Sequence, residues 1–229
     1  MNFLTSVTTV IALAATPMVQ AEERPPLTIF ATDSSASVAQ MYDQVAADEA
    51  ARYVSSYIIG LDAPHRLAMI SVGDAGLGPR EIDIRATVSN HRATNARVLA
   101  RQFSSYFQAL PGLVRGGRLN AQGSTSLIDF FEALRPICDQ GDATIILFSD
   151  GVESTASFDG RAFIEGRLHL PDPRSNFLAG CRVEIHGVGQ LRSTSNSNGL
   201  AGRLVPQWER FLTNAGADPV LVTGSFYSF

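Results

Sequence analysis

The 229-residue chain contains no lysine; its 18 basic side chains are all arginine. That absence removes the lysine on which phosphatases with an aspartate nucleophile depend, and with it the simplest catalytic reading of an Asp at a strand end. The arginines are scattered along the chain, as the codon bias of a GC-rich bacterial genome would leave them. With a formal net charge of -4 they form no concentrated basic face, so nucleic acid is not an expected partner. Cysteine is limited to Cys138 and Cys181, and no Cys or His stands at metal-ligand spacing, which argues against zinc. The 4 histidines, His65, His91, His169 and His186, are far apart. His186 falls inside an apolar strand and reads as a core residue rather than a base. No G-x-S-x-G segment is present, so a serine hydrolase is not expected. Gly73, Gly76 and Gly78 lack the strand–helix setting of a nucleotide fingerprint and read as a hairpin turn.

What is present is a globular composition, 45% hydrophobic and 17% charged, enough for one substantial core. Residues 1–21 read as a signal peptide. Phe3 to Ala15 is apolar, Val19-Gln20-Ala21 has the small-x-small form of a cleavage site, and Glu22-Glu23 follows. No Lys or Arg precedes the apolar stretch, which is short for a membrane span, and no later segment is long enough for one. The expectation is a protein cleaved after Ala21, periplasmic or secreted and not membrane-spanning. Residues 22–26 form a linker, 27–224 one domain, and 225–229 an aromatic tail that either packs on the domain or presents a peptide.

Within the domain, strand-like and helix-like segments alternate. Leu27 to Thr32, Leu67 to Val72, Ala143 to Ser149, Val183 to Val188 and Pro219 to Thr223 are apolar runs suited to strands covered on both faces. Glu81 to Val88 alternates, through Ile82, Ile84, Ala86 and Val88, as an edge strand with one wet face does. Helical spacing predicts helices over Val38 to Leu61, Ala93 to Leu110, Leu127 to Ile137 and Leu200 to Ala215, with a short one at Arg161 to Glu165. This order predicts an α/β fold: a doubly wound, mostly parallel sheet with one antiparallel edge strand and helices on both faces.

The segments that carry chemistry sit at the ends of these elements. Asp33, Ser35 and Ser37 leave the first strand, each one residue apart. Thr125 lies in the loop Gly123-Ser124-Thr125-Ser126 before a helix, and Asp150 ends the run from Ala143. Read singly, each has an ordinary role: Asp33, Ser34 or Ser35 can cap the helix near Val38, and Asp150-Gly151 can be a turn. In an open parallel sheet, however, ligands bind at the carboxyl ends of strands where the strand order reverses, and the strands ending at Asp33 and Asp150 are expected to flank that point. Three segments then converge with oxygen ligands alone, which suits a hard cation, Mg2+ or Mn2+.

The pattern D-x-S-x-S, a loop Thr, then an Asp after a hydrophobic strand resembles the metal-ion-dependent adhesion site of von Willebrand factor type A domains, and the element order resembles that fold over nearly all of residues 27–224. The resemblance implies a metal-dependent protein-binding module rather than an enzyme. It implies that Ser35 and Ser37 bind the metal directly, that Thr125 does so in a high-affinity state, and that Asp33 and Asp150 act mainly through bound water. Neutral hydroxyls leave the cation electrophilic enough to accept a Glu or Asp carboxylate from a partner protein. Ala36 stands where Gly is common in the family. Glu153 either tunes the site or is an exposed loop residue. The alternatives are a metal-free interaction scaffold of the same fold and, further off, a metal-dependent hydrolase. Cys138 and Cys181 come to one edge of the sheet if the strands at Ala143 and Arg182 are parallel neighbours; they then form a disulfide, or else stay as two buried thiols.

Overall fold

The computed structural model describes residues 24–72, 82–192 and 197–226. The expected leader with its cleavage site after Ala21, the Gly73–Gly78 turn and the last three residues of the tail lie outside the described residues. Six strands, β1 (Leu27–Asp33), β2 (His65–Val72), β3 (Asp83–Val88), β4 (Ala143–Phe148), β5 (Cys181–His186) and β6 (Val220–Thr223), form one sheet in the order β3-β2-β1-β4-β5-β6. All neighbours are parallel except β2 and β3. This is the expected α/β sheet with its single antiparallel edge strand, and β1 and β4 lie side by side where the order reverses.

Period-two alternation splits each central strand between two cores. Phe30, Met69, Ile146 and Phe148 face α1 (Gln44–Ile59) and α2 (Ala96–Arg115). Ile29, Ile145, Leu147, Val183 and Ile185 face the opposite layer of α3 (Leu127–Glu132), α4 (Arg135–Cys138), α5 (Gly160–Ile164) and α6 (Ser197–Asn214). Covering both faces is why these strands read as unbroken apolar runs. Among the described residues no helix is long and apolar enough to cross a membrane.

Helix boundaries depart from expectation for local reasons. The first helix does not begin at Val38: a 3-10 turn at Ala39–Met41 precedes α1, and Asp43 is its N-cap, accepting from the N–H groups of Val45 and Ala46. Asp33, Ser34 and Ser35 are therefore not the caps. Asn95 caps α2, which continues past Leu110 through Pro111 to Arg115. The helix expected over Leu127 to Ile137 is broken in two, α3 ending at Glu132 and α4 starting at Arg135. Pro136 has no N–H for the Glu132 carbonyl and its ring crowds that group.

Cys138, on α4, and Cys181, opening β5, form a disulfide with Cα atoms 5.0 Å apart. β4 and β5 are parallel neighbours with Ala143 opposite Cys181, so the condition for the bridge is met. At the other end of β5, Gly187 has φ +89°, and a Cβ there would lie 2.2 Å from the Phe226 ring. Glycine thus lets the start of the tail fold back on the domain, with Phe226 buried. His186 is a core residue, its ring stacked on Phe148 and close to Tyr53, with Nε2 3.0 Å from Glu184 Oε2.

Candidate functional site

Hydrogen bonds lock the strand ends before any site residue is placed. Ser34 donates through both N–H and hydroxyl to the Val72 carbonyl, at 2.9 and 2.7 Å, joining the ends of β1 and β2. The Ser149 hydroxyl donates to Asp33 Oδ2 at 2.6 Å, joining β4 to β1. Asp33 Oδ1 accepts the Ser35 N–H at 2.8 Å, turning the chain so that Ser35 and Ser37 follow on one side, their hydroxyl oxygens 3.2 Å apart. The Thr125 loop is stitched to this turn by Gln122, whose backbone bonds Ser34 and Ala36 at 2.9 Å each. Thr125 Oγ1 makes a long 3.5 Å approach to Asp33 Oδ1.

The second acid reaches the same place from β4. Asp150 Oδ1 accepts the Val152 N–H at 2.9 Å. Gly151 has φ +72°, and its carbonyl accepts the indole N–H of the buried Trp208 at 2.7 Å, so α6 holds this loop directly. Thr125 and Ser154 exchange backbone hydrogen bonds at 2.8 and 2.9 Å, tying the Thr loop to the Asp150 loop. All five expected residues, Asp33, Ser35, Ser37, Thr125 and Asp150, therefore sit on three loops that are bonded to one another at the carboxyl end of the sheet.

Asp33, Ser35, Thr125 and Asp150 are buried, while Ser37 is half-buried and Ala36 exposed, so the site opens at the two serines. Burial pushes the Asp33 carboxyl up, against the hydrogen bonds from Ser149, Ser35 and Thr125. Burial, then the charge of Asp33, pushes Asp150 up to about 7, against the Ser37 hydroxyl and the Val152 N–H. Asp150 Oδ2 is buried with no hydrogen-bond partner, and no basic side chain pairs with either acid among the described residues. Two like-charged, desolvated carboxylates without a counterion lack a positive charge. An oxygen-bound cation would supply one, and the 3.2 Å between the serine hydroxyls is near the roughly 3.0 Å that separates adjacent ligands of an octahedral Mg2+. The residues fit the group. Among the described residues no cluster of three or more His, Cys, Asp or Glu is placed to hold a metal, so any such ion here relies on the hydroxyls.

One residue escaped the sequence reading, and one was left between two roles. Ser149 is the closest partner of Asp33, and only its place at the end of an apolar run hinted at this. Glu153 is not an exposed loop residue: it is 3% exposed, and its Oε2 accepts the N–H groups of Leu127 and Ile128 at 2.7 and 3.1 Å, capping α3 just after Thr125. Burial first pushes its carboxyl up to about 7, against the two N–H groups, and the charges of Asp129 and then Asp33 add to the rise. Glu153→Ala should cost about 2 kcal/mol in urea unfolding, because it strands the buried Leu127 N–H and the part-buried Ile128 N–H. An unchanged unfolding midpoint would show that the cap is idle.

No family model matches the chain, and no curated protein does. Similar solved structures include an aerotolerance-related membrane protein from Bacteroides fragilis NCTC 9343, 16% identical over 86% of this chain and 90% of that one, with a TM-score of 0.46. BatB from Bacteroides thetaiotaomicron is 16% identical over 87% of this chain and 91% of that one, at 0.43. A von Willebrand factor type A protein from Catenulispora acidiphila is 16% identical over 87% of this chain and 38% of that one, at 0.42. At such scores the fold rests on the strand order and pairing described above.

Proposed function

We propose that the protein is a metal-dependent protein-binding module. Asp33, Ser35, Ser37, Thr125 and Asp150 would hold Mg2+ or Mn2+, and the ion would supply an electrophilic position for a Glu or Asp carboxylate of a partner protein. The observation that carries this reading is the buried Asp33–Asp150 pair, without a basic partner and with Asp150 Oδ2 unbonded. The chain's own residues divide the work. The three hydroxyls bind without neutralising the ion, the two acids hold it electrostatically, and the half-buried Ser37 beside exposed Ala36 leaves the approach open. The disulfide suits an oxidising compartment, in keeping with an exported, periplasmic or secreted protein.

Calorimetric titration of Mg2+ and Mn2+ into metal-stripped protein, beside Asp33→Ala, tests this. Saturable binding in the wild type and at least a hundredfold loss in the variant are expected, with circular dichroism confirming that the variant is folded. Equal binding by both refutes the site. Binding by neither removes the metal and leaves an interaction scaffold of the same fold.

A further inference from the structure

We infer that a groove beside the candidate metal site selects partners by a second carboxylate, read by Arg192; this rests on the carboxylate-capture reading above. The groove encloses about 730 Å³ between the start of α1 and residues 190–192. Its wall adjoins the Ser37 turn. The Arg192 N–H donates to the Ser37 carbonyl at 2.7 Å, the Ala39 N–H donates to the Gln190 carbonyl at 3.2 Å, and Val38 pairs with Leu191. A chain whose acid reaches the ion past Ser37 from the Arg192 side lies along this wall.

Arg192 is the basic residue of the groove. It is exposed, its guanidinium lies 3.8 Å from the centroid of the Tyr42 ring, and no ion pair holds it among the described residues. Stacking orients the guanidinium plane while leaving N–H donors at its edge for a carboxylate, which the fork geometry of arginine suits. Asp43 and Glu49 share the groove, and neither pairs with Arg192. Asp43 caps α1, and Glu49 faces Arg52 at 3.9 Å. The chemistry thus matches a partner segment with one acid for the ion and another a few residues away. A basic side chain at that second place meets Arg192 as a like charge.

An array of immobilised pentapeptides tests this, each with Asp fixed at the centre and every residue in turn at the flanking positions, probed in Mn2+. Wild type should prefer a flanking Asp or Glu over Ala by about fivefold, the size of a well-oriented exposed ion pair. Arg192→Ala should lose that preference, and Arg192→Glu should reverse it toward Lys and Arg. Mn2+ binding measured by calorimetry should be the same in all three proteins. An acid preference that survives Arg192→Glu, or binding to the central Asp with no flanking preference in the wild type, overturns the role of Arg192 alone. Mn2+ binding without any Asp-dependent capture overturns the capture reading, and this inference with it.

Discussion

Asp150→Asn should raise the melting temperature of the metal-free protein at pH 8 and abolish its Mg2+ binding. The two effects have one cause. Asp150 is buried next to Asp33, and its carboxyl is pushed up to about 7 from an ordinary 3.8. A group whose pKa rises on folding stabilises the fold in its protonated form. That contribution is complete below about pH 4 and is lost as pH climbs through about 7. Above pH 7 the metal-free wild type therefore carries an ionised, desolvated carboxylate beside a second one. Asn keeps an acceptor for the Val152 N–H, puts an amide where Oδ2 lacks a partner, and carries no charge at any pH. At about 1.4 kcal/mol per pKa unit the relief is on the order of a few kcal/mol, or roughly 5–10 °C in a domain of this size. The gap between the two proteins should open from pH 4 to pH 7 in EDTA. In excess Mg2+ it should narrow or invert, because only the wild type gains from the ion. A variant that melts below the wild type in EDTA at pH 8, or one that still binds Mg2+, contradicts the account.

Losing the disulfide should cost about as much, at a place remote from the site. Cys138 and Cys181 are separated by 43 residues, and in the loop-entropy account closing a loop of that length is worth about 4 kcal/mol. The bridge also pins α4, a single turn isolated by Pro136, to the start of β5. The paired change Cys138→Ser and Cys181→Ser should lower the melting temperature by about 10 °C. Alkylation without reductant should leave the mass of the wild type unchanged. Alkylation of both thiols in unreduced protein, or a variant that melts with the wild type, would show that the bridge is absent or idle. Mg2+ binding by the folded variant should persist, since the bridge lies at the opposite end of the strands from Asp33 and Asp150.

How far the sequence could be read depended on the range of the forces involved. Both-face burial leaves its record in the sequence itself, so the runs at Leu27 and Ala143 could be placed as adjacent central strands. The hairpin edge followed from the short connection after Val72 and the alternation from Ile82 to Val88. The gathering of Asp33, Ser35, Ser37, Thr125 and Asp150 was legible because strand ends in such a sheet have one place to converge. Helix starts were less so. Several polar residues near Val38 competed for one capping role, and the choice of Asp43 depended on how the chain turned after Asp33. Pro136 was visible, but whether the helix bends or breaks there is decided by packing against the sheet.

By itself, then, the sequence determined the layer architecture, the antiparallel edge and the oxygen-rich character of the strand ends, because hydrophobic period and residue chemistry are local properties. Only the tertiary structure decided that Cys138 and Cys181 are joined, that Glu153 turns inward to cap α3, and that Ser149 grips Asp33. It also decided that Arg192 stands against Tyr42 beside Ser37. Each of these depends on bringing together residues distant in sequence, and on how much water their polar groups keep once they meet. Burial makes that second quantity large: the same carboxyls that are ordinary in the unfolded chain are, inside the fold, pushed up by desolvation and, at Asp150, by the charge of Asp33.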